Sequence, residues 1–210
     1  MFLRTESDAA LVDRARKGDL EAFNHLVWRW EKRLYNYLLR LLAGRPGFRE
    51  DALDLTQEAF LKAYQSIGTL AEAGKFAPWL YRIAHNLAFS HLRRPAPQPG
   101  EEDKPERTER WPDDAMAAWH AEGSASGAAY SPRSFSGPEL EIAVARALDA
   151  LPAEQRAAIV LKVYHGFRFE EIAEISSCPV STVKTRVYAG FAQLRALLEA
   201  APSPQRAPRR

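Results

Sequence analysis

The side chains best placed for chemistry in this sequence are donors, acceptors and cations suited to gripping a polyanion. In the run CPVSTVKTRVYAGFAQL, Ser181, Lys184, Thr185, Tyr188 and Ala192 recur at helical spacing on one side, with Arg186 on a flank and Arg195 further along. Short hydroxyls and a lysine near the start of a helix match a DNA major groove, because base edges need hydrogen-bonding groups and phosphates need positive charge. A second face falls in FAPWLYRIAHNLAFSHLRR. If Phe76, Leu80, Ile83, Ala84 and Leu87 turn inward, Arg82, His85, Asn86, Phe89 and Arg93 are left outward. Cations there follow phosphates while a ring and an amide engage unstacked bases, which is the chemistry of single-strand binding. A merely solvated outer face is the alternative reading of both patterns.

A third face differs in kind. Over about Glu50 to Ser66, Ala52, Leu55, Thr56, Ala59, Phe60, Ala63 and Ile67 complete an inward side, leaving Asp54, Gln57, Glu58, Leu61 and Gln65 outward. A leucine ringed by carboxylates and amides suits a protein-binding patch with an apolar centre and polar rim, although a solitary exposed leucine needs no explanation. No catalytic set accompanies these faces. The carboxylates lie on different helices or in a linker, the five histidines are scattered, and no glycine-rich phosphate loop occurs. Cys178 is the single cysteine, so no internal disulfide forms, and no Cys/His cluster has zinc-ligand spacing. We expect no catalytic residue, metal or cofactor.

The elements that carry these faces are all helical in pattern. Ser7 or Asp8 caps a first helix that ends at Gly18, and Asp19 caps a second. Phe23, Leu26, Val27, Trp30, Leu34, Tyr37, Leu38 and Leu41 then repeat at three and four until Gly44 and Pro46. Residues 95–137 are rich in Pro, Gly, Ser and charge, reading as a flexible linker with a turn or two of helix around Met116 and Trp119. Pro138 opens a further helix through Ala150. After it LPAEQRAAIVLKVYHG, FEEIAEIS and the turn Ser177-Cys178-Pro179-Val180 before the third helix give a helix-turn-helix layout. Val183, Val187, Gly190, Leu194 and Leu198 form that helix's inner side, packing on Ile172 and Ile175.

Hydrophobic residues make up 46% of the 210, enough for one or two small cores. The net charge of +2 hides an asymmetry: the linker holds eight acidic and four basic residues, net −4, leaving +6 elsewhere. No apolar run approaches the roughly 20 residues that span a membrane, and the first residues lack a secretory signal's apolar stretch, so a cytoplasmic protein without membrane insertion is expected.

LPAEQR, FEEIAEI and CPVSTVKTR resemble the promoter-reading domain of bacterial RNA polymerase sigma factors, specifically the extracytoplasmic-function (ECF, group 4) class. DLTQEAFLKAY resembles the segment with which these factors grip the polymerase clamp, and WLYRIAHNLAFSHLRR the segment that melts and holds the upstream promoter element. The motifs occur in the family's order and the likeness covers about 11–94 and 140–198. The resemblance implies an all-α protein of two small helical domains: region 2 over 7–94 and region 4 over 138–200, with the linker over 95–137 and a basic disordered tail over 201–210. It assigns core-polymerase contacts to Asp54, Gln57, Glu58 and Leu61. The −10 contacts fall on Lys75, Arg82, His85, Asn86, Phe89 and Arg93, with the loop from Leu70 to Phe76 taking up a flipped base. The −35 contacts fall on Arg168, Ser181, Thr182, Lys184, Thr185, Arg186 and Tyr188.

Implied partners are core RNA polymerase (the β′ clamp and β flap), promoter DNA and an anti-sigma factor. The acidic linker is compatible with a path through the polymerase meant for RNA. The free protein is expected to be a monomer whose two domains move relative to each other. Three departures qualify the carry-over. Phe89 stands where the family more often has a polar or basic residue, and Ala189-Gly190-Phe191 lacks the basic segment common after Tyr188. Arg168 replaces the usual Ser or Thr helix cap, a loss on the order of 1 kcal/mol, and we expect it to reach a DNA phosphate instead. The alternative is a stand-alone helix-turn-helix regulator, a two-fold dimer binding paired half-sites without polymerase.

Overall fold

The computed structural model describes residues 6–94 and 138–200, and every regular element among them is helical. The N-terminal half contains α1 (Asp8–Ala15), α2 (Leu20–Leu42), α3 (Phe48–Ser66) and α4 (Phe76–Leu92), with 3-10 turns at Ile67–Thr69 and Ala73–Lys75 between the last two. The C-terminal half contains α5 (Pro138–Asp149), α6 (Ala153–Ile159), α7 (Phe169–Ser176) and α8 (Val180–Ala200). The expected linker, its short helix and the basic tail lie outside the described residues.

Local chemistry sets the helix ends. Ser7 Oγ accepts the Ala10 N–H at 3.3 Å, and the Asp19 carboxylate accepts the Ala22 N–H at 3.1 Å, so both expected caps form. Arg14 also reaches Asp19 at 2.7 Å. The Ala22 N–H and Arg14 together hold the Asp19 carboxyl below its ordinary range. The reversal between α1 and α2 passes through Gly18 at φ +88°, a left-handed conformation that glycine adopts without a Cβ clash.

The α2 stripe is buried as its period predicts, with Leu26, Leu34, Tyr37 and Leu38 fully inside. It packs on α1, α3 and α4. The inner side of α3 follows the sequence reading from Ala52 to Ala63, and the buried Thr56 hydroxyl donates to the Ala52 carbonyl at 2.6 Å. From α4 come Phe76, Leu80, Tyr81, Ala84 and Ala88. Each large side chain withdrawn from water contributes about 1.5–3 kcal/mol.

The C-terminal half divides its apolar residues: Ala147, Leu148, Leu151, Ile159 and Leu194 form a small cluster of their own. Ala157, Val160, Leu161, Phe167, Ile172, Ile175, Val183 and Val187 join the same apolar cluster as the residues of α2 and α4. The two halves, expected to move relative to each other, are in contact in this structure. The reason lies on α4, which packs α3 on one side and α7 on another. In the same half, α6 lies so close to α8 that a Cβ added at Gly190 would stand 2.6 Å from Ile159 Cδ1. Gly190 thus permits a close helix approach. Beyond Ile159 the α6 backbone widens into a π-helical turn over Val160–Tyr164 and delivers His165, and Gly166 at φ +73° then redirects the chain into Phe167.

Candidate nucleic-acid interface

The helix-turn-helix is built by α7, a tight turn and α8. Ser177, at φ +50°, is the one non-glycine in the left-handed region among the described residues, and it turns the chain between the helices. Val183, Val187, Gly190 and Leu194 are buried, which leaves the opposite side of α8 open. There Ser181, Lys184, Thr185 and Tyr188 are exposed, Tyr188 by 64%, and Thr182 and Arg186 are half-buried. The Thr185 hydroxyl donates to the Ser181 carbonyl at 3.0 Å, leaving its acceptor capacity outward. Arg186 Nη1 lies 3.5 Å from Cys178 Sγ, so this cation is tied to the turn instead of extending freely.

At Arg168 the start of α7 lacks a side-chain cap, as expected, but gains a contact in the other direction. The Glu171 carboxylate accepts the Arg168 backbone N–H at 2.7 Å, supplying half of a capping box from the third helical position. The first-turn N–H groups that a Ser or Thr side chain would accept from gain nothing from Arg168, whose guanidinium has no acceptor. The Arg168 side chain is exposed.

The face of α4 expected to read a strand agrees with the sequence reading in part. Arg82, Asn86 and Arg93 are exposed. His85, expected outward, is only 7% exposed. Its Nδ1 lies 2.8 Å from Tyr37 Oη, and its ring stacks at 4.3 Å on Phe89, which is half-buried against the core. Burial, with Arg186 of α8 nearby, pushes the His85 imidazole down to about 4, so it is neutral at pH 7. The outward pattern fails at this position because His85, on a helix that also packs against α7, turns to Tyr37 of α2. Lys75 is likewise engaged, 3.6 Å from Glu72 and 3.4 Å from Glu174 of α7.

On α3, Asp54, Glu58 and Leu61 are exposed and Gln57 is half-buried. Leu61 is 53% exposed, and Glu58 pairs with Lys62 at 3.2 Å. Partial burial and the neighbouring Asp51 and Glu50 raise the Asp54 carboxyl above its ordinary value. Tyr64 adds an exposed ring on the same helix and meets Phe23 of α2 edge to face at 5.0 Å. On α2, Trp28 is 81% exposed. Sequence reasoning passed over Trp28 and Tyr64, although Trp28 falls off the α2 stripe and that alone marks it as outward.

Among the described residues no group of His, Cys, Asp and Glu is placed to hold a metal ion, and no helix is long and apolar enough to cross a membrane. An all-helical chain with a free helix-turn-helix face and a second helix carrying exposed cations and an amide defines a nucleic-acid-reading protein.

Comparison with known proteins narrows that class. Residues 26–96 match Sigma-70 region 2 and residues 141–194 match Sigma-70, region 4. The chain is 33% identical over 192 residues to the RNA polymerase sigma-H factor of Pseudomonas aeruginosa, covering 89% of this chain and 91% of that protein. It is 34% identical over 189 residues to the ECF RNA polymerase sigma-E factor of Escherichia coli K12, covering 87% and 89%. Among solved structures, CnrH in complex with the cytosolic domain of CnrY matches with a TM-score of 0.63 at 25% identity, covering 94% of this chain and 100% of that one. The chain belongs to the ECF sigma factors of RNA polymerase. It is a transcription initiation factor that directs the polymerase to promoters.

Proposed function

We propose that three faces divide the work of initiation. The outward side of α3, with Asp54, Gln57, Glu58 and Leu61, binds the β′ clamp of core RNA polymerase, and the C-terminal half meets the β flap. The outer side of α8, with Ser181, Thr182, Lys184, Thr185, Arg186 and Tyr188, together with Arg168, reads the −35 duplex. The face of α4, with Arg82, Asn86 and Arg93 and with Lys75, His85 and Phe89 once uncovered, holds the opened −10 strand. The observation that carries this reading is the free side of α8: four polar or aromatic side chains exposed along one line, with their helix anchored by a fully apolar opposite side.

The chain performs no covalent chemistry of its own and needs no cofactor. Work comes from binding opened promoter DNA in preference to the duplex, which shifts the melting equilibrium. The protein acts in the cytoplasm as a monomer when free of polymerase, and an anti-sigma factor restrains it. The likeness to CnrH, whose structure holds it in complex with the cytosolic domain of CnrY, supports that last point.

Permanganate reactivity of promoter thymines, recorded with core polymerase on a linear template, tests the division. Asn86→Ala is expected to lower strand opening by about tenfold, in line with the roughly 1–3 kcal/mol of a base contact, while −35 duplex affinity is retained. Lys184→Ala should weaken duplex affinity first. If Asn86→Ala instead reduced duplex affinity and left opening unchanged, the assignment of the two helices would be reversed.

A further inference from the structure

At the end of α4 away from Lys75, arginines from two parts of the N-terminal half come together. Arg45 lies in the loop between α2 and α3, and its guanidinium donates to Leu92 O at 3.2 Å and to Arg94 O at 3.5 Å. The last carbonyls of a helix have no partner within it and carry the negative end of its dipole, so a cation is well placed there. This contact joins the loop to the end of α4. A second tie is His91 Nε2, 3.1 Å from the carboxylate of Asp51 in the first turn of α3. In that same turn the Arg49 guanidinium lies over the Phe48 ring, 5.3 Å from its centroid, and Phe48 packs on the core. Arg93 donates to Ser90 Oγ at 3.2 Å. Arg49, Arg93 and Arg94 are exposed, and Arg45 is half-buried.

Among the described residues, none of these four arginines is paired with a carboxylate. Of the two carboxylates in the first turn of α3, Asp51 is held by His91 and Glu50 is exposed. The other end of α4 differs, because Lys75 there faces Glu72 at 3.6 Å and Glu174 at 3.4 Å. Positive charge therefore rises toward the C-terminal end, where Arg93 continues the outward line of Arg82 and Asn86. An opened strand lying on that line rejoins its complement where the opening ends. The double helix carries one charge per about 1.7 Å of axis, roughly twice the density of one strand, so clustered cations gain most against duplex. Guanidinium forks match the geometry of phosphate oxygens. The cluster also lacks the open aromatic platform that a single strand uses, because the Phe48 ring is half-buried beneath Arg49.

We propose that Arg49, Arg93 and Arg94, on the loop and helix end that Arg45 joins, form a phosphate-binding surface that grips the double helix at the border of the opened promoter segment. The surface rests on the sigma reading above, since it takes α4 as the helix that faces the opened strand. It reads no base. It holds the edge of the opening by charge alone, so its contribution is independent of promoter sequence and falls as salt rises.

Arg49→Gln/Arg94→Gln in the full chain tests the surface; both side chains are exposed, and Arg93 is left in place because it also faces the strand. With core polymerase, the variant and wild type are bound to two promoter probes: a fragment with duplex on both sides of an unpaired −10 segment, and the unpaired strand alone. Affinity for the first is expected to fall about tenfold, with the slope of log affinity against log salt reduced by about two, while affinity for the strand alone is unchanged. An equal loss on both probes assigns the arginines to the strand and overturns the proposal, as does no loss on either. Weaker binding to core polymerase with both DNA affinities retained assigns the cluster to a protein contact and overturns it too. Wild-type protein that forms no complex with core marks failure of the sigma reading instead, and the surface is then judged with the chain alone on the flanked fragment. There a salt slope lowered by about two in the double variant supports the surface, and an unchanged slope rejects it.

Discussion

The two helices proposed to face DNA, α4 and α8, were equally legible as amphipathic patterns, yet only one has its outward residues fully open. On α8 the outward residues Ser181, Lys184, Thr185 and Tyr188 meet solvent as their spacing predicts. On α4, His85 is covered and Phe89 half-covered, and the neighbouring Lys75 is paired to the other half of the chain. Helical periodicity identifies the side of a helix that its immediate neighbours leave open. It carries no information on a partner eighty residues away that lies down on that side. The difference separates a surface open to solvent from one that another part of the chain meets.

The largest expected effect breaks the cover on α4. Arg156→Ala removes a buried cation from four carbonyls and should destabilise the protein by about 3 kcal/mol, read as a lower denaturation midpoint in urea. His85 should at the same time become reactive to diethylpyrocarbonate. If Arg156→Ala lost stability while His85 stayed protected, the cover would not depend on this contact.

Acid sharpens the same comparison. Burial lowers His85 and His165 from 6.5 to about 4, with Arg186 adding to the shift at His85 and Arg40 and Arg33 at His165; Tyr37 faces both rings and Tyr81 faces His165. Both imidazoles are neutral when folded, so the unfolded chain takes up protons first as pH falls. Their contribution to stability is complete above about pH 6.5 and is lost progressively down to about pH 4. In thermal melts, His165→Asn should flatten the decline over that window relative to wild type, while Tyr188→Ala on the free face of α8 should leave its shape unchanged.

The smallest expected effects belong to α8 and its approach. Lys184→Ala should weaken −35 duplex binding several-fold and reduce the slope of log affinity against log salt by about one. Arg168→Ala is expected to behave alike but more weakly, because Glu171 already caps α7 and the arginine is left to reach a phosphate. An unchanged affinity and slope for Arg168→Ala would remove it from the interface.

What the sequence made legible follows from the range of each interaction. The α2 stripe, the Ser7 and Asp19 caps and the apolar side of α8 are set by residues three or four apart, and all were readable. Gly190 could be read as part of the inner side, but its closeness to Ile159 depends on how two helices cross. Arg156 and His165 left no signal, because one bonds backbone carbonyls and the other sits between tyrosines from distant helices. The exposed Leu61 of α3 was legible from its spacing, whereas Trp28 was passed over because its helix was read for its buried stripe.

The most direct test of the central claim is run-off transcription by core RNA polymerase with wild type and with Glu58→Lys/Leu61→Lys, each also measured for binding to core and to −35 duplex. The account predicts specific initiation by the wild type and its loss in the double variant, with core affinity reduced more than tenfold and duplex affinity retained. Wild-type protein that neither binds core nor starts transcripts, yet retards a duplex alone, would contradict it and leave a stand-alone helix-turn-helix regulator in its place.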